Sequence, residues 1–124
     1  MITLSSIEIA QYRSQLSENS LALRALDMIE DCEGDLEDAA IALALQAGQE
    51  PDQSDQWLES IAKRCRVLLC QTGLRETIES GTLAQAVSLL AEESTIPHIL
   101  ATPVVLYVAK TGVEEFCKPL QEKL

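Results

Sequence analysis

The sequence predicts an all-α fold, and three observations lead there. Apolar residues recur at three- and four-residue spacing along nearly the whole chain. Helix-start and helix-stop signals punctuate those runs, with isolated glycines closing them. Aromatics are scarce (Tyr12, Trp57, Tyr107 and Phe116), so the core is built from Leu, Ile, Val and Ala. A β-sandwich would ask for more β-branched and aromatic residues and for regular turns. A length of 124 residues sets a prior of one domain. A chain of that size buries about two-thirds of its unfolded surface, enough for a core without staples. The expected architecture is a single compact domain of six or seven short helices around a buried, Ala/Leu-rich central helix.

Ser5-Ser6-Ile7-Glu8 reads as a capping box, opening a first helix to about Leu16 that buries Ile9, Tyr12 and Leu16. A second helix starts after Ser17 or Ser20, with Leu21, Ala22, Ala25, Met28, Ile29 and Cys32 forming its apolar stripe. Gly34 stops it. Asp35 caps the third helix, and Glu37 and Asp38 stand in its first turn, where the helix dipole favours anions. Ala39 to Ala47 is nearly all apolar, which marks this helix as the central one, and Gly48 suits its C-terminal cap. Gln49 to Gln53 reads as a linker. Ser54 then caps a fourth helix that turns Leu58, Ile61, Cys65, Leu68 and Leu69 inward and ends at Gly73.

Leu74–Ser80 is expected as a short helix closed by Gly81, followed by a helix capped by Thr82 and carrying Leu83, Val87 and Leu90. Thr102-Pro103 pairs an N-cap with a first-helical-position proline. Val104–Val108 has strand-like propensity, but no second strand is available to pair its backbone. It is therefore read as a buried helix. Val113, Phe116, Cys117, Leu120 and Leu124 form a last amphipathic stripe, in which Pro119 is expected to kink or break the helix.

All the net negative charge lies in the first half. Residues 1–62 hold thirteen carboxylates against Arg13 and Arg24, whereas residues 63–124 balance seven acids with seven bases. The densest stretch is Asp27, Glu30, Asp31, Glu33, Asp35, Glu37 and Asp38. Such a block repels polyanions and anionic lipid and attracts basic surfaces. Nucleic acid is excluded as a partner on this ground, since the one basic cluster is Lys63, Arg64 and Arg66. That triplet reads as internal charge balance. No signal-peptide pattern and no apolar run of about 18 residues is present, so no membrane partner is expected. The chain reads as soluble and cytoplasmic.

The four cysteines, Cys32, Cys65, Cys70 and Cys117, match no zinc or disulfide framework and are read mainly as structural thiols. Cys65 and Cys117 fall on apolar stripes, and Cys32 lies between Asp31 and Glu33. The acidic segment fails the EF-hand pattern, leaving Asp31, Glu33 and Asp35 around Gly34 as a weak metal set. His98 has no evident Ser or Cys partner, and neither a nucleophile elbow nor a phosphate loop occurs. No cofactor is implied.

These readings converge on a small protein-interaction or regulatory protein without catalytic activity. Its partner would present a basic surface to Asp27, Glu30, Asp31, Glu33 and Trp57, the lone tryptophan and a residue type common at hot spots. The alternative is a helical metal- or small-molecule-binding protein using the Asp31–Asp38 carboxylates. A homodimer is compatible with this much Leu and Ala, although no heptad of useful length specifies one.

Overall fold

Ser5 and Glu8 exchange the two hydrogen bonds of the expected capping box, and helix α1 (Ser6–Gln15) starts there. In this computed structural model, backbone is described for residues 2–51 and 56–122 and side chains through Leu120. Eight further helices follow among the described residues: α2 (Ser20–Asp31), α3 (Leu36–Gln46), α4 (Trp57–Arg64), α5 (Arg66–Leu69), α6 (Thr72–Glu79), α7 (Leu83–Glu93), α8 (Ala101–Thr111) and α9 (Val113–Glu122). The fold is all-α. Its nine described α-helices exceed the expected six or seven, and one of the added helices comes from a break in the expected fourth. The fourth breaks at Cys65 into α4 and α5, and a 3-10 turn (His98–Leu100) leads into α8.

Sequence signals placed most helix ends within a residue or two. The start of α2 differs: Asn19, rather than Ser17 or Ser20, is its cap, and its side chain accepts the Ala22 amide at 3.0 Å. Asp35 caps α3 through the Asp38 amide as expected. The Ser54 cap lies outside the described residues. Gly73 does not end a helix but stands in the first turn of α6. The helix runs on through Pro119, which falls in the last turn of α9 and there forgoes a single backbone bond. Val104–Val108 is helical, since α8 satisfies its own backbone while being apolar nearly all round.

The loop between α2 and α3 carries the tightest backbone. Glu33 is left-handed (φ 58°) and Gly34 follows at φ 87°. Across it runs the N-terminal segment: Leu4 N–H donates to the Gly34 carbonyl at 2.8 Å and Leu36 N–H to the Ile2 carbonyl at 3.1 Å. A side chain on residue 34 would collide with the Leu4 carbonyl, so this crossing demands glycine.

Burial places α8 deeper than α3. Six consecutive residues, Ala101 to Leu106, are buried in α8, which packs on α2, α3, α4, α6, α7 and α9. The Ala/Leu-rich helix expected at the centre, α3, is buried on one face only, and its Leu45 is 61% exposed. A long apolar run gave no means of telling which of two such helices is surrounded. Among the described residues, no helix is long and apolar enough to cross a membrane.

The cysteines depart from the sequence reading. Cys70, after α5, and Cys117, in α9, form a disulfide across 47 positions, with Cα atoms 5.7 Å apart. Cys117 is therefore not a free thiol. Cys65 is a buried thiol and Cys32 a half-buried one. Pairing depends on Cα separation, a tertiary quantity that spacing along the chain does not carry.

Candidate functional site

The acidic segment divides in the structure. Its first members are engaged by α1: Arg13 meets Asp27 at 2.7 Å and Glu30 at 3.7 Å. Asp31 is exposed at the end of α2, and Glu33 is exposed on the left-handed turn. Among the described residues, no three His, Cys, Asp or Glu side chains gather as metal ligands, so Asp31, Glu33 and Asp35 do not form the metal set that their spacing suggested. Trp57 is half-buried and packs against the cluster of Ala25, Leu43, Ala44 and Leu100.

The last members of the segment, with residues far away in sequence, enclose a cavity of about 430 Å³. Asp35, Glu37 and Asp38 come from the start of α3, and Gln56 and Glu59 from the start of α4. Tyr107 of α8 and Ile2 of the N-terminal segment complete the described walls. No basic residue is among these lining residues. Lys63, one turn along α4, places its Nζ 3.1 Å from Glu59 Oε1.

Glu37 fixes the geometry. Its side chain is nearly buried, at 8% exposure, and its Oε2 accepts the Leu58 amide at 2.7 Å. Oε1 accepts the Glu59 amide at 3.2 Å. Among the described residues, no side chain of its own segment bonds the free amides of α4, and a carboxylate from α3 serves them as a cap. Burial pushes the Glu37 carboxyl above the ordinary carboxylate value. The Leu58 and Glu59 amides oppose that rise, while the charges of Glu59 and Asp35 add to it. Burial likewise raises the Tyr107 phenol, aided by the Glu59 and Glu37 charges and opposed by a Thr111 hydrogen bond and Arg66.

Sequence reading thus named Asp35, Glu37 and Asp38 but missed Gln56, Glu59, Tyr107 and Ile2. One signal was available. Glu37 shares a helical face with Ala40 and Ala44, so a carboxylate stands on a buried stripe. His98 is exposed on its 3-10 turn, away from these residues. Arg66 does not join Lys63 and Arg64 in a patch, because its guanidinium lies 4.7 Å over the Phe116 ring.

Comparison with protein-family models, curated proteins and solved structures gives no match for this chain.

Proposed function

We propose that this chain is a small helical binding protein whose cavity receives a cationic group, the Lys or Arg side chain of a basic protein partner. The observation that carries this reading is a concave site with four carboxylates, a phenol and no base among its described lining residues. Partly desolvated carboxylates attract a cation more strongly than solvated ones, because the local dielectric is lower. The Tyr107 ring adds a face suited to cation–π contact. Exposed Asp31 and Glu33 extend the negative field, which steers encounter more than it adds affinity. Recognition of this kind requires no catalytic step, and none is proposed.

A second reading, a free organic amine as ligand, is favoured by the cavity's size, since small-molecule pockets run from about 300 to 1,000 Å³. One experiment addresses both. The protein is titrated calorimetrically with an oligolysine peptide and with a linear polyamine, at two salt concentrations. The variant Asp38→Asn/Glu59→Gln should weaken peptide binding by about tenfold or more, with a smaller salt dependence. Glu92→Gln/Glu93→Gln, at the far end of α7, should not. Polyamine binding without peptide binding selects the second reading, and equal effects of the two double variants defeat both.

A further inference from the structure

We propose that the Cys70–Cys117 disulfide is a reversible redox clasp that holds the last helix, α9, on the body of the fold. This inference is independent of the cavity. The bond joins the end of α5 to the middle of α9, and among the other described side chains of α9 Val113 and Phe116 are the buried ones. Its other face carries exposed Glu114, Glu115 and Lys118. Helix α9 packs on α5, α6 and α8, so it can leave without dismantling the contacts among α2, α3, α4 and α8.

Two further observations favour opening. Arg66 lies under α9 with its guanidinium over Phe116, and its buried Nε has no hydrogen-bond partner among the described residues. When α9 leaves, that donor gains water, which offsets part of the apolar exposure. In addition, Cys32 and Cys65 are free thiols. Persistent disulfides belong to oxidising compartments, whereas cytosolic thiols are kept reduced. A chain that keeps two thiols fits a compartment rich in small thiols, where a disulfide acts as a transient, sensing bond.

The step is a thiol–disulfide exchange with a dithiol reductant. A reductant thiolate attacks Cys70 Sγ, because Cys70 is half-exposed while Cys117 is 1% exposed. The S–S bond breaks, and Cys117 departs as a thiolate and takes up a proton. The reductant's second thiolate then attacks the reductant sulfur of the mixed disulfide and releases Cys70, which is also protonated. Two electrons and two protons pass to the protein, and the reductant becomes a disulfide.

The test is hydrogen exchange of the full chain, read by mass spectrometry, before and after treatment with dithiothreitol, with alkylation to count thiols. Mild dithiol should free Cys70 and Cys117 while the fold persists. Exchange across residues 113–120 should then rise by about tenfold or more, with α2, α3 and α8 unchanged. The variant Cys70→Ser/Cys117→Ser should show the same pattern without reductant; should it not fold, the dithiol-treated native protein decides alone. The proposal is overturned by a bond that survives until the whole fold opens. Equal α9 exchange in both states overturns it too, as do four free thiols in protein purified under air.

Discussion

Glu37 of α3 caps a helix other than its own: its Oε2 takes the Leu58 amide of α4 at 2.7 Å across 21 positions of sequence. The bond ties the start of α4 to α3 beside the cavity that both helices line. It also places a negative charge where the free amides of α4 present positive potential.

Replacement of Glu37 therefore acts on α4. Glu37→Ala leaves the Leu58 and Glu59 amides without their acceptor and should lower unfolding stability by about 2–3 kcal/mol. Glu37→Gln keeps one acceptor oxygen but opposes its NH₂ to the second amide, for a loss of about 1–2 kcal/mol. Urea unfolding with an unchanged m-value measures both. A variant as stable as the parent would mean that solvent satisfies these amides equally well.

Acid should weaken cation binding early. Burial holds the Glu37 carboxyl above the ordinary 4.5, so it takes up a proton in the folded state before free glutamates do. In stability terms the sign is set by that rise. The proton-linked part of Glu37's contribution is fully present below 4.5 and is lost as pH rises through the folded-state pKa, while its acceptor role at the Leu58 and Glu59 amides persists. In binding terms the ionised form is the useful one. Oligolysine affinity should begin to fall above pH 4.5 in the parent, and at lower pH in Glu37→Gln. Coincident midpoints would show that another group governs the loss.

Glu8 runs the opposite way. The Lys110 ammonium, 2.8 Å away, and the Ser5 amide hold its carboxyl below 4.5. Its contribution is present above 4.5 and is lost as pH falls through the lowered folded-state pKa. The stability gap between the parent and Glu8→Gln should thus be open at pH 7 and closed in strong acid. A gap that persists in acid would trace to the capping box alone.

Gly34 should tolerate no side chain. Gly34→Ala meets both the left-handed backbone at φ 87° and the Leu4 carbonyl, and should cost about 2–4 kcal/mol. Gly112→Ala, with φ 100° and ψ 118° but open space around it, carries only the backbone penalty, about 1–3 kcal/mol. Equal losses at the two sites, measured by thermal unfolding, would mean that the Leu4 crossing gives way freely.

Thiol labelling separates the four cysteines. In native protein Cys65, raised by burial, should react slowly. Cys32 should react slowly at neutral pH, since burial and then the Asp38, Asp35 and Asp31 charges raise it above the ordinary 9.0. Denaturant alone should expose those two and leave Cys70 and Cys117 unlabelled until a reductant is added. Four labelled residues in denaturant without reductant would contradict the disulfide.

Local signals carried the helices well. The Ser5–Glu8 box, the Asp35 cap and the apolar spacing act within a few residues, and propensity and capping are interactions of that range. Val104–Val108 shows where local preference yields: β-branched residues formed helix because their surroundings supplied burial and no strand partner. The candidate site was half legible. Asp35, Glu37 and Asp38 announced themselves as a charge run, yet the run divides, with Asp27 and Glu30 drawn to Arg13 and Glu37 turned inward to α4.

By itself, then, the sequence determined the helical class, most of the helix ends and the one-sided charge of the chain. The tertiary structure alone decided that α8 is the surrounded helix, that Glu37 caps α4, that Cys70 meets Cys117, and that Glu59, Tyr107 and Ile2 share a cavity. The physical reason is range. Helix formation is settled among residues three and four apart, whereas these pairings join residues 21 to more than 100 positions apart and exist only once packing has chosen which faces meet.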